Sequence, residues 1–258
     1  QAKFFFDKSK KIKSNYIPNL WHLSLCNLTQ GNLKDGFFLY ENRWEINENN
    51  FKKFQHINEL TNLSNIQDKK ILIWDEQGLG DTIHFSRFVI DLLEYTKTIT
   101  FAVNSKLKDL LNHLHLNIDV VEYDDVNKKD FDFQLSVCSL PRLLKISSIK
   151  DISFYKLLIS NKNEKIKNFD NSKLNIGIAW FGNNEYIKDE YRSISFDYFD
   201  NILNLKNTNF YKLNKGFNKN EFQKFRTYEN LYDYGDRNFF DLCYLINKLD
   251  LVCIIHNF

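Results

Sequence analysis

The sequence lacks several features that would assign it to a common class of protein. It contains no methionine, only 2 prolines, and no apolar run near the roughly 18–20 residues that span a bilayer. The formal net charge of +2 is too small to indicate a nucleic-acid-binding protein. The 4 cysteines lie far apart among apolar neighbours without the spacing of a zinc site, which favours buried free thiols in a reducing compartment. We therefore expect a cytoplasmic protein without a transmembrane segment, a metal site or a nucleic-acid partner.

The sequence also lacks an initiating methionine, because it begins with Gln1. The simplest interpretation is that residues of a longer protein precede this position. The 258 residues are 43% hydrophobic and 26% charged, which is ordinary globular composition, and their number allows one large domain or two modest ones. Along the chain we expect helices over residues 1–45, a polar connector over 46–68, a first α/β domain over 69–168 and a second over 169–258.

Apolar residues in the first region recur at helical spacing. Leu20-x-x-Leu23-Ser24 in one helix, and Gly36 followed four residues later by Tyr40 in the next, resemble the helix pair of a tetratricopeptide repeat. The small residues would let the two helices approach closely, whereas Asn27 departs from the repeat pattern, which has an aromatic or apolar residue there. A helical hairpin of another kind is the alternative. Since a lone repeat cannot bury its apolar face, we expect further repeats before this sequence begins.

From Lys69 onward, short apolar runs alternate with helical patterns in units of about 30 residues. Residues 71–74 are typical of a strand buried on both faces. Further strands are predicted at 98–103, 120–121, 133–135, 174–180, 210–213 and 249–255, with helices over 82–95, 107–114, 196–205 and 239–247. The alternation predicts a mainly parallel sheet in each domain, with right-handed crossovers and residues 71–74 central in the first sheet.

A glycine-containing turn, Gly78-Leu79-Gly80-Asp81, follows the first of these strands. It does not match a dinucleotide-binding fingerprint, because the third glycine would fall at Ile83, and no lysine follows as in a P-loop. A carboxylate at Asp81 would also repel a pyrophosphate at the helix N-terminus. Two compatible roles remain open for Asp81: a helix cap, contributing about 1 kcal/mol, and a general base at the carboxyl end of a parallel strand.

The sequence around this turn resembles a known enzyme family. Trp74-Asp75-Glu76-Gln77-Gly78-Leu79-Gly80-Asp81-Thr82-Ile83-His84-Phe85-Ser86-Arg87 looks like the opening motif of bacterial heptosyltransferase-like glycosyltransferases, in the branch with N-terminal tetratricopeptide repeats. Further stretches resemble that branch in the same order: Tyr40-Glu41-Asn42-Arg43-Trp44, Ser139-Leu140-Pro141, Gly177-Ile178-Ala179-Trp180-Phe181-Gly182-Asn183, and Leu249-Asp250-Leu251-Val252. The resemblance implies a GT-B fold, in which two Rossmann-like domains face each other across a cleft.

The resemblance also implies a role for the glycine turn. Asp81 matches the catalytic base proposed for the family, which deprotonates the acceptor hydroxyl in an inverting, metal-independent transfer. Gly78, Gly80 and Thr82 would form the active-site turn around it. The expected substrates are a nucleotide sugar and a glycan or protein acceptor, with no cofactor.

Donor-binding residues are expected in the second domain. Arg192 lies where the family has a basic residue near the donor diphosphate, and a surface ion pair with Asp189 or Glu190 is its alternative role. A guanidinium could neutralise the charge that develops on a nucleoside diphosphate leaving group. Gly182-Asn183 is either an ordinary turn at a strand end or a loop that brings backbone N–H groups towards phosphate.

The sequence departs from the family at its C-terminal end. Beyond the last predicted strand the family has an acidic-Thr/Asn-Ser run, then a histidine, at a helix that holds the donor, whereas Ile255-His256-Asn257-Phe258 ends this sequence. We therefore expect truncation at both ends, an incomplete second domain, and donor binding in the millimolar range, about −4 kcal/mol. The alternative function is a non-catalytic module, in which repeat helices and a degenerate Rossmann pair bind a protein partner.

Overall fold

In the computed structural model of the chain, the described residues are 1–46, 52–114, 117–126, 131–155, 166, 168–182, 193–217 and 221–254. The chain divides into two compact units, Gln1–Leu158 and Ile159–Phe258. The described residues of each unit form a four-stranded sheet, and all the strand pairings among them are parallel. The expected α/β class with two separate parallel sheets is therefore confirmed.

The first unit begins with helices Ala2–Ile12 (α1), Ile17–Thr29 (α2), Leu33–Tyr40 (α3) and Arg43–Ile46 (α4). Pro18 lies in the first turn of α2, where its missing N–H removes no helical hydrogen bond. Gly31 follows the end of α2 with φ +78°, a conformation that favours glycine. Gly36 lets α3 approach α2 closely, because a Cβ there would lie 2.6 Å from the Leu28 side chain. Whether this helix pair is a tetratricopeptide repeat stays a prediction.

The first sheet has the strand order β3-β2-β1-β4, so β1 is an interior strand as expected. Its strands are Lys70–Trp74 (β1), Thr98–Ala102 (β2), Ile118–Val121 (β3) and Phe133–Ser136 (β4). Residues 71–74 are at most 2% exposed, which explains their unbroken apolar run. The helices of this part are Leu79–Phe85 (α5), Arg87–Asp91 (α6), Ser105–Leu111 (α7) and Leu140–Leu143 (α8).

The prediction of one continuous helix over residues 82–95 is wrong. The structure divides this stretch into α5, α6 and the 3-10 turn Leu92–Glu94. The division lies at Ser86, whose hydroxyl donates to the carbonyl of Ile83 at 2.8 Å. A serine hydroxyl that bonds to the preceding turn competes with the helical ladder and bends it.

The connector predicted over residues 46–68 is better anchored than its polar composition indicates. Ile57, Leu60 and Ile66 are 6%, 1% and 2% exposed. Leu60 donates its N–H to the carbonyl of Gln134 at 2.9 Å, and Glu59 forms a parallel bridge with the same residue of β4. The segment therefore covers the outer edge of β4. Without it, the backbone groups along that edge would have no hydrogen-bond partner. Residues 52–68 contain turns but no helix.

The second sheet repeats the strand order of the first, as β7-β6-β5-β8. Its strands are Leu174–Ala179 (β5), Thr208–Lys212 (β6), Leu231–Asp233 (β7) and Leu251–Ile254 (β8). The α-helices described here are Asp200–Leu203 (α9), Glu221–Phe225 (α10) and Phe239–Ile246 (α11). An aromatic core built around Trp180, Phe196 and Phe199 packs on this sheet.

Several details of the second unit differ from the sequence prediction. The last strand begins at Leu251 instead of position 249, because the N–H of Leu249 still donates to Leu245 at the end of α11. Leu251 and Ile254 are 51% and 60% exposed, so this edge strand is not buried by the described residues. Strand β7 was not predicted, since its three residues are too few for a recognisable apolar period.

The four cysteines are all free, but only one fits the expectation of buried thiols. Cys138 is buried, and burial raises the pKa of its thiol above the ordinary value. Cys26, Cys243 and Cys253 are only partly buried. Cys253 lies on the exposed edge strand β8, which explains the difference for that residue.

Candidate functional site

The carboxyl ends of β1 and β4 form the most informative region of the first unit. The strand order reverses between these two strands, because the chain moves from β1 to β2 on one side and returns to β4 on the other. In parallel α/β sheets, ligands bind beyond the carboxyl ends of the strands at such a reversal. The predicted turn, with Gly78, Gly80, Asp81 and Thr82, follows β1 at this position.

Asp81 is the third residue of α5, and Gly78 is the N-cap. The Oδ2 atom of Asp81 accepts a hydrogen bond from the N–H of Gly78 at 3.0 Å, so the carboxylate stabilises the helix start from inside the first turn. Glycine suits this N-cap, because a Cβ there would lie 3.0 Å from Oδ2. Among the described residues, Oδ1 of the half-buried Asp81 has no hydrogen-bond partner. The capping role is therefore present and leaves one carboxylate oxygen available.

The other residues of the predicted turn have different surroundings. Thr82 is 1% exposed, and its hydroxyl donates to the carbonyl of Gly78 at 3.2 Å, which ties the first helical turn together. Gly80 is exposed, and a Cβ placed on it meets no atom within 4 Å. The described contacts therefore explain why a threonine occupies position 82. They do not explain why a glycine occupies position 80.

Glu76, five residues before Asp81, is held by a buried arginine that sequence analysis did not select. Arg43 is 2% exposed, and its Nε and Nη2 donate to the two carboxylate oxygens of Glu76 at 2.7 and 2.8 Å. The same guanidinium donates to Glu41 at 2.9 Å and to the Ser139 hydroxyl at 2.7 Å. Burial alone would lower the pKa of Arg43, but the two glutamates outweigh it and raise the pKa above its ordinary value. Glu76 also accepts from the Ser136 hydroxyl.

Asp75, the first residue after β1, also has a structural role. Its Oδ2 accepts from the N–H of Asn104 at 2.7 Å, and its Oδ1 lies 3.1 Å from Nζ of Lys53. These contacts join the ends of β1 and β2. Of the three carboxylates that follow β1, both oxygens of Asp75 and of Glu76 are therefore engaged, and only Asp81 retains an unpartnered oxygen within the described residues.

Gln77 connects these carboxylates to the turn in an unusual backbone conformation. Its φ of +63° lies in the left-handed region, which non-glycine residues rarely adopt. The side-chain Nε2 of Gln77 donates to the hydroxyl of Tyr40 at 2.6 Å. Tyr40 is 7% exposed, burial raises the pKa of its hydroxyl above the ordinary value, and the phenolic oxygen accepts this bond. The side chains of α3 and α4 thus support the turn that carries Asp81.

The predicted donor residues lie at the carboxyl end of β5 or outside the described residues. Gly182 is exposed and follows β5. Strand β5 pairs with β8, and the order of strands in the second sheet reverses between these two strands. Asn183, Arg192 and His256 lie outside the residues that the structure describes.

A buried polar cluster at the ends of β6 and β7 was missed by sequence analysis. Lys212 is fully buried, its Nζ lies 3.0 Å from Oδ1 of Asp233, and it packs 4.2 Å from the centre of the Phe217 ring. Asn214 is 8% exposed, yet neither atom of its side-chain amide has a hydrogen-bond partner among the described residues. Gly235 touches this loop so closely that a Cβ would lie 1.8 Å from the Asn214 carbonyl oxygen.

An unpartnered buried amide is costly, at about 1–3 kcal/mol, and so requires an explanation such as a bound ligand or an ordered water. Asn214 could offer the N–H donors of its amide nitrogen and its carbonyl acceptor to a polar ligand. The signal in the sequence is the run Lys212-Leu213-Asn214-Lys215-Gly216 directly after an apolar strand, which resembles many ordinary turns. The run indicates a binding residue only once the burial of the Asn214 side chain is known.

Comparison of the chain with family models, curated proteins and solved structures found no match. Within the described residues, no helix is both long and apolar enough to cross a membrane. The same part of the chain contains no group of three or more His, Cys, Asp or Glu side chains arranged to hold a metal ion.

Proposed function

We propose that the protein is an inverting glycosyltransferase of the heptosyltransferase-like GT-B family with tetratricopeptide-type helices. The two parallel sheets with the same order of strands support the proposal, because GT-B enzymes consist of two Rossmann-like domains. The sequence run Glu-Gln-Gly-Leu-Gly-Asp-Thr supplies the resemblance to the family. The observation that carries the proposal is the unpartnered Oδ1 of Asp81 at the reversal of strand order in the first sheet.

In the proposed reaction, Asp81 accepts the proton of the acceptor hydroxyl. The acceptor oxygen attacks the anomeric carbon of the sugar as the bond from that carbon to the diphosphate oxygen breaks. The electron pair leaves with the nucleoside diphosphate, and a cation such as Arg192 would stabilise the developing charge. Oδ2 remains bonded to the Gly78 N–H, which holds the carboxylate in one orientation while Oδ1 receives the proton.

The second unit supplies the proposed donor-binding residues. Gly182 and Asn183 would present backbone N–H groups to phosphate, and Arg192 would pair with it. The amide of Asn214 would satisfy its donor and acceptor on a polar part of the nucleoside. Lys212 would act indirectly, because its ammonium is already paired with Asp233.

Release of nucleoside diphosphate from a panel of UDP-, GDP- and ADP-sugars tests the proposal, with water as the acceptor where no better one is known. We expect the Asp81→Asn variant to keep the fold, since the asparagine oxygen can still accept from Gly78, and to lose turnover by roughly two orders of magnitude. The control is Asp68→Asn, which removes a carboxylate from an exposed turn and should change nothing. Equal release above background by the wild type and the Asp81 variant would contradict Asp81 as the base, and no release by the wild type would favour a non-catalytic interaction module.

A further inference from the structure

The helices before residue 46 contact the candidate catalytic turn through two polar links. Arg43 donates two charge-assisted hydrogen bonds, of 2.7 and 2.8 Å, to the carboxylate of Glu76. Tyr40, at the end of α3, accepts from the Gln77 side chain at 2.6 Å. Glu76 and Gln77 directly precede Gly78, whose N–H binds the carboxylate of Asp81. Every residue between the end of β1 and this N-cap is therefore held by a side-chain contact.

The Tyr40 contact matters because of the backbone at Gln77. A left-handed conformation is unfavourable for a residue with a Cβ, so surrounding interactions must hold it in place. The hydrogen bond from Gln77 to Tyr40 reaches across from another element and opposes relaxation of this backbone. If Gln77 relaxed to an ordinary φ, the chain would leave β1 in another direction, and the Gly78 N–H would no longer meet Asp81.

We propose that Tyr40 and Arg43 are positioning residues for Asp81, so that the N-terminal helices are part of the acceptor-side site. Tyr40 holds Gln77 in the left-handed conformation, and Arg43 fixes the neighbouring Glu76. The Gly78 N–H then orients one oxygen of Asp81 and leaves the other exposed to an acceptor. This inference rests on the proposed function for its catalytic meaning, whereas the positioning itself can be measured without turnover.

The test compares Tyr40→Phe with Tyr95→Phe in the 258-residue chain. Phenylalanine at position 40 removes only the hydroxyl and retains the ring contacts with Trp21 and Arg43. Tyr95 is 39% exposed, and none of the described contacts involves its hydroxyl. Amide hydrogen exchange followed by mass spectrometry should show roughly tenfold faster exchange at Gly78 and Thr82 in the first variant only. Exchange in strands β1 to β4 should stay unchanged.

A second substitution separates positioning from a general packing role. Glycine adopts a left-handed backbone without a Cβ penalty, so Gln77→Gly should restore slow exchange in the Tyr40→Phe background. The kcat of nucleoside diphosphate release should follow the same pattern, falling about fivefold and recovering, with KM for the donor sugar unchanged. Unchanged exchange in Tyr40→Phe, or failure of Gln77→Gly to restore it, would overturn the inference. If exchange behaves as expected but Asp81→Asn retains full turnover, the positioning of the turn by Tyr40 is supported and the proposed function is wrong.

Discussion

Replacement of Arg43 by methionine should strongly destabilise the first unit. Methionine retains much of the apolar volume but removes a guanidinium that is 2% exposed and contacts Glu41, Glu76 and Ser139. Glu76 and Glu41, which are 10% and 17% exposed, would lose their cationic partner in a poorly hydrated site. Removing one partner of a buried ion pair costs about 3–5 kcal/mol. For a unit of this size the melting temperature should fall by on the order of 10 °C.

Urea unfolding followed by tryptophan fluorescence can measure this loss, because Trp21, Trp44 and Trp74 report on the first unit and Trp180 on the second. The two units are expected to unfold separately, so the transitions must be fitted separately. Lys69→Met is the matched control. It removes an ion pair with Asp132 at 3.1 Å whose side chains are 45% and 37% exposed, and the expected cost is below about 1 kcal/mol.

The double variant Arg43→Met with Glu76→Leu tests whether the loss comes from the ion pair itself. Substituting both charges leaves neither partner unpaired at this contact. The two single losses should therefore sum to more than the double loss by at least about 1 kcal/mol. Additive losses, or a single Arg43→Met effect no larger than that of Lys69→Met, would refute the reasoning from the buried pair.

Two further predictions concern packing and pH dependence. Gly235→Ala should destabilise the second unit by several kcal/mol in thermal unfolding, because its Cβ would lie 1.8 Å from the Asn214 carbonyl, whereas Gly80→Ala meets no atom within 4 Å and should be tolerated. Equal effects of the two substitutions would contradict the packing argument. Partial burial and Arg87 lower the pKa of His84 below 6.5, although the nearby Asp81 opposes them. The unfolded state then binds the proton more readily, so stability should decrease as pH falls below 6.5, and His84→Gln should flatten that part of the curve. An unchanged slope would show that His84 does not contribute.

The parts of the fold that could be predicted are those with a local signature. Residues 71–74 form an unbroken apolar run because both faces of β1 are covered, and alternation with helical segments then requires parallel pairing. Prediction was wrong where a single side-chain hydrogen bond or a very short strand pairing decides the outcome. The hydroxyl of Ser86 divides a helix whose apolar pattern continues through it, and β7 pairs with β6 over only three residues.

The glycine turn was identified from sequence, but the contacts that shape it were not. Arg43 and Glu76 are 33 residues apart, and nothing in either local pattern indicates that they pair. The left-handed φ of Gln77 was equally invisible, since glutamine is not a residue that favours it. Asn214 resembles an ordinary turn residue until its burial is known. In each case the missing information is a long-range polar contact, or its absence, which composition and periodicity do not encode.

Three carboxylates lie within seven residues after β1, and residue type alone does not distinguish which of them is the candidate general base. The structure distinguishes them by the partners of their oxygens. Asp75 joins the ends of two strands and Glu76 pairs with a buried arginine, so both oxygens of each already take part in contacts within the first unit. Asp81 can accept a proton on Oδ1 while Oδ2 keeps its bond to the Gly78 N–H. The proposed general base needs a carboxylate oxygen that no structural contact occupies, and among these three side chains only Asp81 has one within the described residues.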